Sequence, residues 1–280
     1  MIGLDTLLQK AQDLEPLPAS ATRLASLVCR TNVEMSDIVQ VVALDQALTA
    51  RLLRVANSAA SAARMPVRTV RDAVVRLGNA TVLAVAVAGA SRRNLKLAVP
   101  EYGLSEDQLW RHSVAAALAS ECLLPECHVV IPAETFTAAL LHDFGKLVLA
   151  RFLTPQLLSQ LGRARVERGL PLQDAERDVL GIDHARLGGL IAQRWGLPER
   201  IGRGIQHHHI PDAAAGPVCD MVALANQAAK SVKDAPVPGE SLGEDVTPSR
   251  ERLGISEDAY AKALERIAAR FAETLAAFSD

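Results

Sequence analysis

The sequence predicts an all-α protein, a two-part helical bundle in which an N-terminal helical part over residues 1–100 packs on a second over residues 101–280. Leu and Ala dominate a composition that is 49% hydrophobic but only 3% aromatic, the usage of helices rather than of sheets. Apolar residues recur every three or four positions, the period of one helix face, and do not alternate. Pro and Gly fall between the periodic stretches, which makes the helices short and numerous.

Residues 4–14 read as a first helix, ended by Pro16 and Pro18, and Ser20 as the cap of a second running to about Arg30. Ser36 is placed to cap a third, to Ala43, and Asp45 opens a fourth whose Leu48, Leu52, Leu53, Val55 and Ala56 make an apolar face before Asn57 and Ser58. Residues 69–77 form the next, stopped by Gly78. Asn79 caps one to about Ser91, where Arg92, Arg93 and Lys96 suit the negative end of the helix dipole.

Pro100 and Gly103 mark the turn into the second part. Ser105 and Gln108 have the spacing of a capping box, and the helix they start carries Leu109, His112, Ala116, Ala119 and Leu123 on one face, so His112 points inward. Residues 132–152 read as one helix on the recurrence of Phe136, Leu140, Phe144, Leu147 and Phe152. The polar, Arg-rich residues 162–178 are open to two readings, a helix pair over the mouth of an interior site or a solvated connection. Asp183 caps a helix with His184, Leu187, Ile191 and Trp195 in one stripe, and Pro198 starts another that carries Ile201, Ile205 and His208. Residues 217–232 put Met221, Ala225, Ala228 and Val232 on a core side with Asn226 at its edge. Residues 234–252, rich in Pro, Gly, Ser and acids, read as a surface loop. Residues 256–278 make a last amphipathic helix, with Tyr260, Leu264, Ile267, Phe271 and Leu275 on the body.

Composition excludes several function classes. A formal charge of -2 and a pI near 6.4 argue against a nucleic-acid partner, which demands a basic face. The longest apolar run, from Thr81 to Ala90, is about half of a membrane span, so no segment is expected to cross a bilayer. The N-terminus lacks the features of a signal peptide, and Cys29, Cys122, Cys127 and Cys219 show no CxxC pair, so a cytoplasmic protein with reduced, buried thiols is expected.

The chemistry gathers at His142-Asp143-Phe144-Gly145-Lys146. A carboxylate turned toward a core costs several kcal/mol unless it is paired, hydrogen-bonded or bound to a cation. Alone, the His142–Asp143 pair reads equally as a core hydrogen bond or as a partner for Lys146, three residues on. Together with His112, His184 and His208 it becomes a candidate metal pocket, since facing helices of a bundle are where such sites are assembled. The side chains of His112, His142, Asp143, His184 and His208 are therefore expected to converge.

The order His112, His142-Asp143, His184, His208 resembles the HD superfamily of metal-dependent phosphohydrolases, and HDFGK is close to the HDxGK of its HD-GYP cyclic-di-GMP phosphodiesterases. The first part resembles something narrower. PLPAS from Pro16 to Ser20, DQALTARLLRVANSA from Asp45, TVRDAVVRLG from Thr69 and LWRHS from Leu109 are together similar to the HDOD domain, the HD-related output domain of bacterial signalling proteins. That resemblance implies signalling proteins as partners, with a nucleotide as the alternative ligand, while composition argues against a membrane or nucleic acid. It leaves no room on this chain for a separate receiver or cyclase domain.

Departures from the active branch weigh on the function. The carboxylate that closes the HD set there is Asn226 here, the Glu before the first His is Gln108, and HHHIPDAAAGP lacks the glycines and Tyr of the GYP segment while keeping Asp212 and Pro217. Its double His is His207-His208 or His208-His209. With Asp143 as the one assured carboxylate, a binuclear cluster is not expected to fill, which leaves either one divalent ion (Fe, Mn or Zn) held mainly by imidazoles or an empty relic. Two function classes remain. One is a non-catalytic signalling module, with partners recognised at the helix of Asp45 to Ala56 and flanked there by Arg51 and Arg54. The other is a metal-dependent phosphohydrolase in which Lys146 contacts phosphate and Asp143 with the histidines holds metal.

Overall fold

The N-terminal part is built on one long helix. α1 (Ala19–Val28), α2 (Met35–Ala43) and α3 (Gln46–Ala56) turn Leu24 and Leu27, Ile38 and Val42, and Leu48 and Leu52 onto α4 (Val70–Leu95). Each such side chain contributes roughly 1.5–3 kcal/mol through its removal from water. The computed structural model describes residues 17–30, 32–57, 66–209, 211, 214–235, 237 and 244–278, together with Thr6 and Gln9. The helix expected over residues 4–14 lies outside the described residues.

Asp45 caps α3 as its position requires, accepting from the Leu48 amide at 2.9 Å. Ser20 and Ser36 are not caps, because α1 and α2 begin before them, at Pro18 and Glu34. The Ser20 hydroxyl instead donates to Asp45 at 2.6 Å and joins α1 to α3. Thr69 caps α4 through the Asp72 amide at 3.1 Å, and the helix breaks where the sequence places a stop, at Gly78 with φ 75° and ψ 161°. α4 is the one described helix long and apolar enough to cross a membrane, but the Gly78 break and the burial of Val82, Leu83, Ala86 and Val87 make it a packing axis instead.

In the second part α5 (Gln108–Leu123) is buried along nearly its whole length. Around it run α6 (Thr135–Leu141), α7 (Gly145–Leu149), α8 (Pro155–Arg168), α9 (Leu172–Leu180), α10 (His184–Arg194), α11 (Glu199–Gln206) and α12 (Pro217–Lys230). α13 (Thr247–Leu253) and α14 (Glu257–Phe278) follow, α14 laying Ala263, Ile267 and Phe271 on α5. The Leu275 side chain lies outside the described residues. No strand occurs among the described residues, and α4 packs on α5 and α6, so one core runs through both parts.

Residues 132–152 are not one helix. α6 ends at His142 and α7 begins at Gly145, because the His142 ring takes the Ala139 carbonyl at 2.7 Å, the acceptor a continuing α-helix would offer to the Asp143 amide. The following bonds tighten to three-residue spacing, Phe144 to Leu141 and Lys146 to Asp143, both at 3.0 Å. Gly145 is required there, since a β-carbon would overlap the backbone carbonyl of His184 and hold α7 off the start of α10. Residues 162–178 take the helix-pair reading, as α8 and α9. The stretch 234–252, read as loop, ends in α13: Arg252 clamps Asp220 at 3.0 Å and the Pro211 carbonyl at 2.8 Å, and Leu253 is buried. Tertiary contacts there override a loop-like composition.

Candidate functional site: a buried histidine and aspartate pocket

Five side chains expected to converge do so. His112 on α5, His142 and Asp143 between α6 and α7, His184 at the first position of α10 and His208 just past α11 are all 0% exposed. Ring centroids lie 5.1 Å apart for His112 and His142, 4.8 Å for His142 and His208, and 5.4 Å for His184 and His208. His208 is not on the helix face itself, because α11 ends at Gln206 with His207 as its cap.

The Nδ1 atoms are spoken for, which turns each Nε2 into the pocket. His142 Nδ1 meets the Ala139 carbonyl and His208 Nδ1 the Ile205 carbonyl, both at 2.7 Å, and His184 Nδ1 meets the Glu176 carboxylate at 2.7 Å. His112 has Nδ1 3.3 Å from the Ala235 carbonyl and Nε2 3.0 Å from Asn226 Oδ1. Two acceptors cannot both be served by a neutral ring. Turning the amide over lets Nδ2, otherwise a buried donor without a partner, donate to His112 Nε2. Asn226 then occupies the lone pair that His112 would offer a cation.

Asp143 has two different sides. Its Oδ2 accepts from Lys146 Nζ at 2.7 Å, with His142 Nε2 at 3.5 Å and His112 Nε2 at 3.9 Å. Lys146, read from the HD resemblance as a phosphate contact, is instead 0% exposed and engaged with this carboxylate. On the other side Oδ1 lies 3.3 Å from His184 Nε2 and 3.7 Å from His208 Nε2. Asp143 Oδ1, His142 Nε2 and His208 Nε2 are buried without a hydrogen-bond partner.

His209 completes that second side. Its Nε2 is 2.9 Å from His184 Nε2, its ring centroid is 4.0 Å from that of His208, and its Nδ1 meets Glu244 at 2.5 Å. The double His is therefore His208-His209. The ligand atoms of His184, His208 and His209 all lie within 4.8 Å of one another, as do those of His112, His142 and Asp143. Neighbouring donors around a tetrahedral ion with bonds of about 2.0–2.2 Å sit roughly 3.3–3.6 Å apart. Asp143 Oδ1 lies close to that spacing from His184 Nε2, at 3.3 Å, and from His208 Nε2, at 3.7 Å, whereas His184 Nε2 and His209 Nε2 are closer together at 2.9 Å; the partnerless Oδ1 and His208 Nε2 point to an ion between them.

Three supports escaped the sequence reading. Glu176 lies on the buried stripe of α9 with Gln173 and Leu180, and a Glu in that register was a signal that could have been found. Glu244 meets Lys230 at 3.2 Å and Gln173 at 3.3 Å besides His209; its partners are distant in sequence and it stands among other acids, so it left no local mark. Tyr102 donates to Glu176 at 2.8 Å from the turn between α4 and α5.

The charges of the metal-free pocket follow from these partners. Burial pushes His184 down, but the Glu176 carboxylate beside it prevails and raises it to about 10. His184 is then an imidazolium whose Nε2 proton lies between His209 and Asp143. Burial lowers His142 to about 4, and burial with the neighbouring histidines lowers His208 well below the usual imidazole range, whereas Asp143 and Glu176, despite burial, are held below the usual carboxylate range by Lys146 with His142, and by His184, respectively.

A stability profile follows. The contribution of His184 is complete below the ~6.5 of an unfolded His and is lost as pH rises toward about 10. Those of His142 and His208 are complete above ~6.5 and are lost as pH falls, and those of the carboxyls go below ~4. Stability of the metal-free protein is expected to peak near pH ~6.5. Urea midpoints at pH 5, 6.5 and 8.5 check this, and a midpoint still rising at pH 8.5 contradicts it.

The two arginines proposed for partners differ in placement. Arg51 is half-buried, its guanidinium laid over Gly89 of α4 and its Nε without a hydrogen-bond partner, while Arg54 is exposed. The four cysteines are free thiols, Cys122 and Cys219 buried and Cys29 and Cys127 half-buried.

An all-helical scaffold that turns an adjacent His-Asp pair and further histidines into one closed, cation-compatible pocket defines a histidine-pocket protein of the HD type. The chain belongs to the HDOD domain family, whose model matches residues 14–211. A solved signal-transduction protein of Marinobacter aquaeolei VT8, so named provisionally, is 26% identical with a TM-score of 0.73, over 97% of this chain and 59% of that one. A protein of Shewanella amazonensis SB2B, provisionally named a phosphohydrolase, is 27% identical with a TM-score of 0.66 over 95% of each chain. An HDOD domain protein of Geobacter sulfurreducens shares the fold, with 24% identity and a TM-score of 0.72 over 98% of both chains. An uncharacterised protein of Treponema pallidum is 26% identical over 83% of this chain, which spans only 45% of that relative's length.

Proposed function

We propose that the chain is a cytoplasmic signalling module that acts by binding other signalling proteins, that its pocket takes one divalent cation, and that it does not hydrolyse cyclic di-GMP. The observation that carries this reading is the Lys146 ammonium 2.7 Å from Asp143 Oδ2. It fills the side of the carboxylate that a second ion would need, beside a His112 whose Nε2 already meets Asn226.

One ion would be held by His184, His208 and His209, whose ligand atoms lie within 4.8 Å of one another, with Asp143 Oδ1, 3.3 Å from His184 Nε2 and 3.7 Å from His208 Nε2, as the carboxylate donor, a borderline set that suits Fe, Mn or Zn. Such an ion supplies Lewis acidity and can acidify a bound water. Around it, Glu176 and Glu244 orient His184 and His209, and the full burial of His184 and His208 keeps solvent from their side of the site. Phosphodiester hydrolysis also needs fixed positive charge at the phosphate, and Lys146 is committed elsewhere.

The purified protein is expected to carry at most one metal equivalent and to leave cyclic di-GMP and a panel of nucleotides intact. Robust turnover with manganese or iron, abolished by Asp143→Ala, would promote the second reading, a metal-dependent phosphohydrolase, which the provisional name of the Shewanella relative and the complete set of inward histidines favour. The proposed partner surface is the face of α3 bordered by Arg51 and Arg54, of which Arg54 is exposed and Arg51 is half-buried against α4. Arg54→Glu is expected to weaken capture of signalling partners at unchanged folding. Capture that is indifferent to the reversal removes α3 as the surface.

A further inference from the structure

We propose that Tyr102 is a positioning residue for His184, acting through Glu176, and that it ties occupancy of the pocket to the connection between the two helical parts. The inference rests on the reading that the pocket takes a divalent cation. Glu176 is 0% exposed and accepts three bonds, from Tyr102 Oη at 2.8 Å on one oxygen and from His184 N at 2.8 Å and His184 Nδ1 at 2.7 Å on the other. A buried carboxylate keeps its donors, since each one lost costs it solvation it cannot recover. The ring of His184 and the phenol of Tyr102 are thus held by the two oxygens of one rigid group.

Tyr102 stands where the two parts join. Residues 96–107 lead from α4 to α5, folded on themselves by Val99 N to the Leu104 carbonyl at 2.8 Å and Leu104 N to the Val99 carbonyl at 3.1 Å, and closed by Lys96 and Asp107 at 2.9 Å. From this small hairpin Tyr102 reaches Glu176, 74 residues along the chain. The same connection opens α5, which delivers His112 to the other side of the pocket. A cation on His184 Nε2 fixes the tilt of the ring, the ring fixes Glu176, and Glu176 then holds Tyr102 in one orientation. The coupling is reciprocal, so whatever orders the connection also tightens the hold on the cation.

The test uses the full chain with cobalt(II) as probe. Tyr102→Phe, which removes one hydroxyl, is expected to weaken cobalt binding about 3–10-fold, just under the 10–100-fold typical of partners that touch a ligand directly. It is also expected to abolish both the cobalt-induced protection of amides 96–107 from hydrogen exchange and the tyrosine difference band in the near ultraviolet. Tyr260→Phe, changed at the other Tyr of the sequence, should retain all three. Wild-type protein that binds cobalt without protecting residues 96–107, or a Tyr102→Phe variant equal to wild type in affinity and protection, overturns the coupling alone. Wild-type protein that takes up no cobalt overturns the coupling together with the reading of the pocket.

Discussion

Asp143→Ala is expected to lower the unfolding free energy by about 3–5 kcal/mol, more than any other single truncation in the pocket. The cost arises from what remains. Lys146 Nζ lies 2.7 Å from Asp143 Oδ2 and is 0% exposed, so the substitution leaves an ammonium in the interior without the carboxylate that offsets it. The imidazolium of His184 loses the negative charge 3.3 Å from its Nε2 in the same step. Replacing both partners, Asp143→Ala with Lys146→Met, should recover much of the loss, since a charge pair removed together leaves no uncompensated ion. A double-mutant cycle in urea measures this directly. A coupling below about 1 kcal/mol would place the pair among solvent-screened surface bridges and contradict the closed pocket.

That pair marks how much the sequence discloses. The His-Asp adjacency and the three-residue step to Lys146 are local, so the contact was one of two readings open from the sequence, while the phosphate role came from resemblance to enzymes whose pocket carries more carboxylate. His112 and His184 were legible because each sits in an apolar stripe of a regular helix, and Asp45 and Asp183 because caps obey a three-residue geometry. The break at His142 was not, since it depends on a ring competing for a backbone carbonyl, and the apolar stripe continues across it unchanged. His208 points inward without belonging to the helix that suggested it, and His209 joins it because the chain has already left α11. Glu244 illustrates the remaining limit. Its contacts to Gln173, His209 and Lys230 span 71, 35 and 14 residues, so no periodicity or motif could assemble them.

Lys146→Met is expected to raise the affinity of the pocket for a divalent cation by at least tenfold while it destabilises the metal-free protein. Lys146 and an incoming ion compete for one carboxylate, Lys146 on Oδ2 and the ion on Oδ1 with His184, His208 and His209. A unit positive charge at roughly 5 Å from a divalent ion opposes it by about 6–7 kcal/mol at an effective dielectric of ~20. Even if most of that is relaxed away, a loss of 1.4 kcal/mol of repulsion already gives the tenfold change. Without metal, the same substitution strands the Asp143 carboxylate against His184 alone, so the urea midpoint should fall; saturating zinc should restore it, because an ion that binds only the folded state stabilises in proportion to the logarithm of its concentration over Kd. Competition with a chelator of known affinity measures the first effect, and denaturation with and without zinc the second. An affinity unchanged or weakened by Lys146→Met would mean that the ammonium does not oppose the ion, and would move the cation seat away from Asp143 altogether.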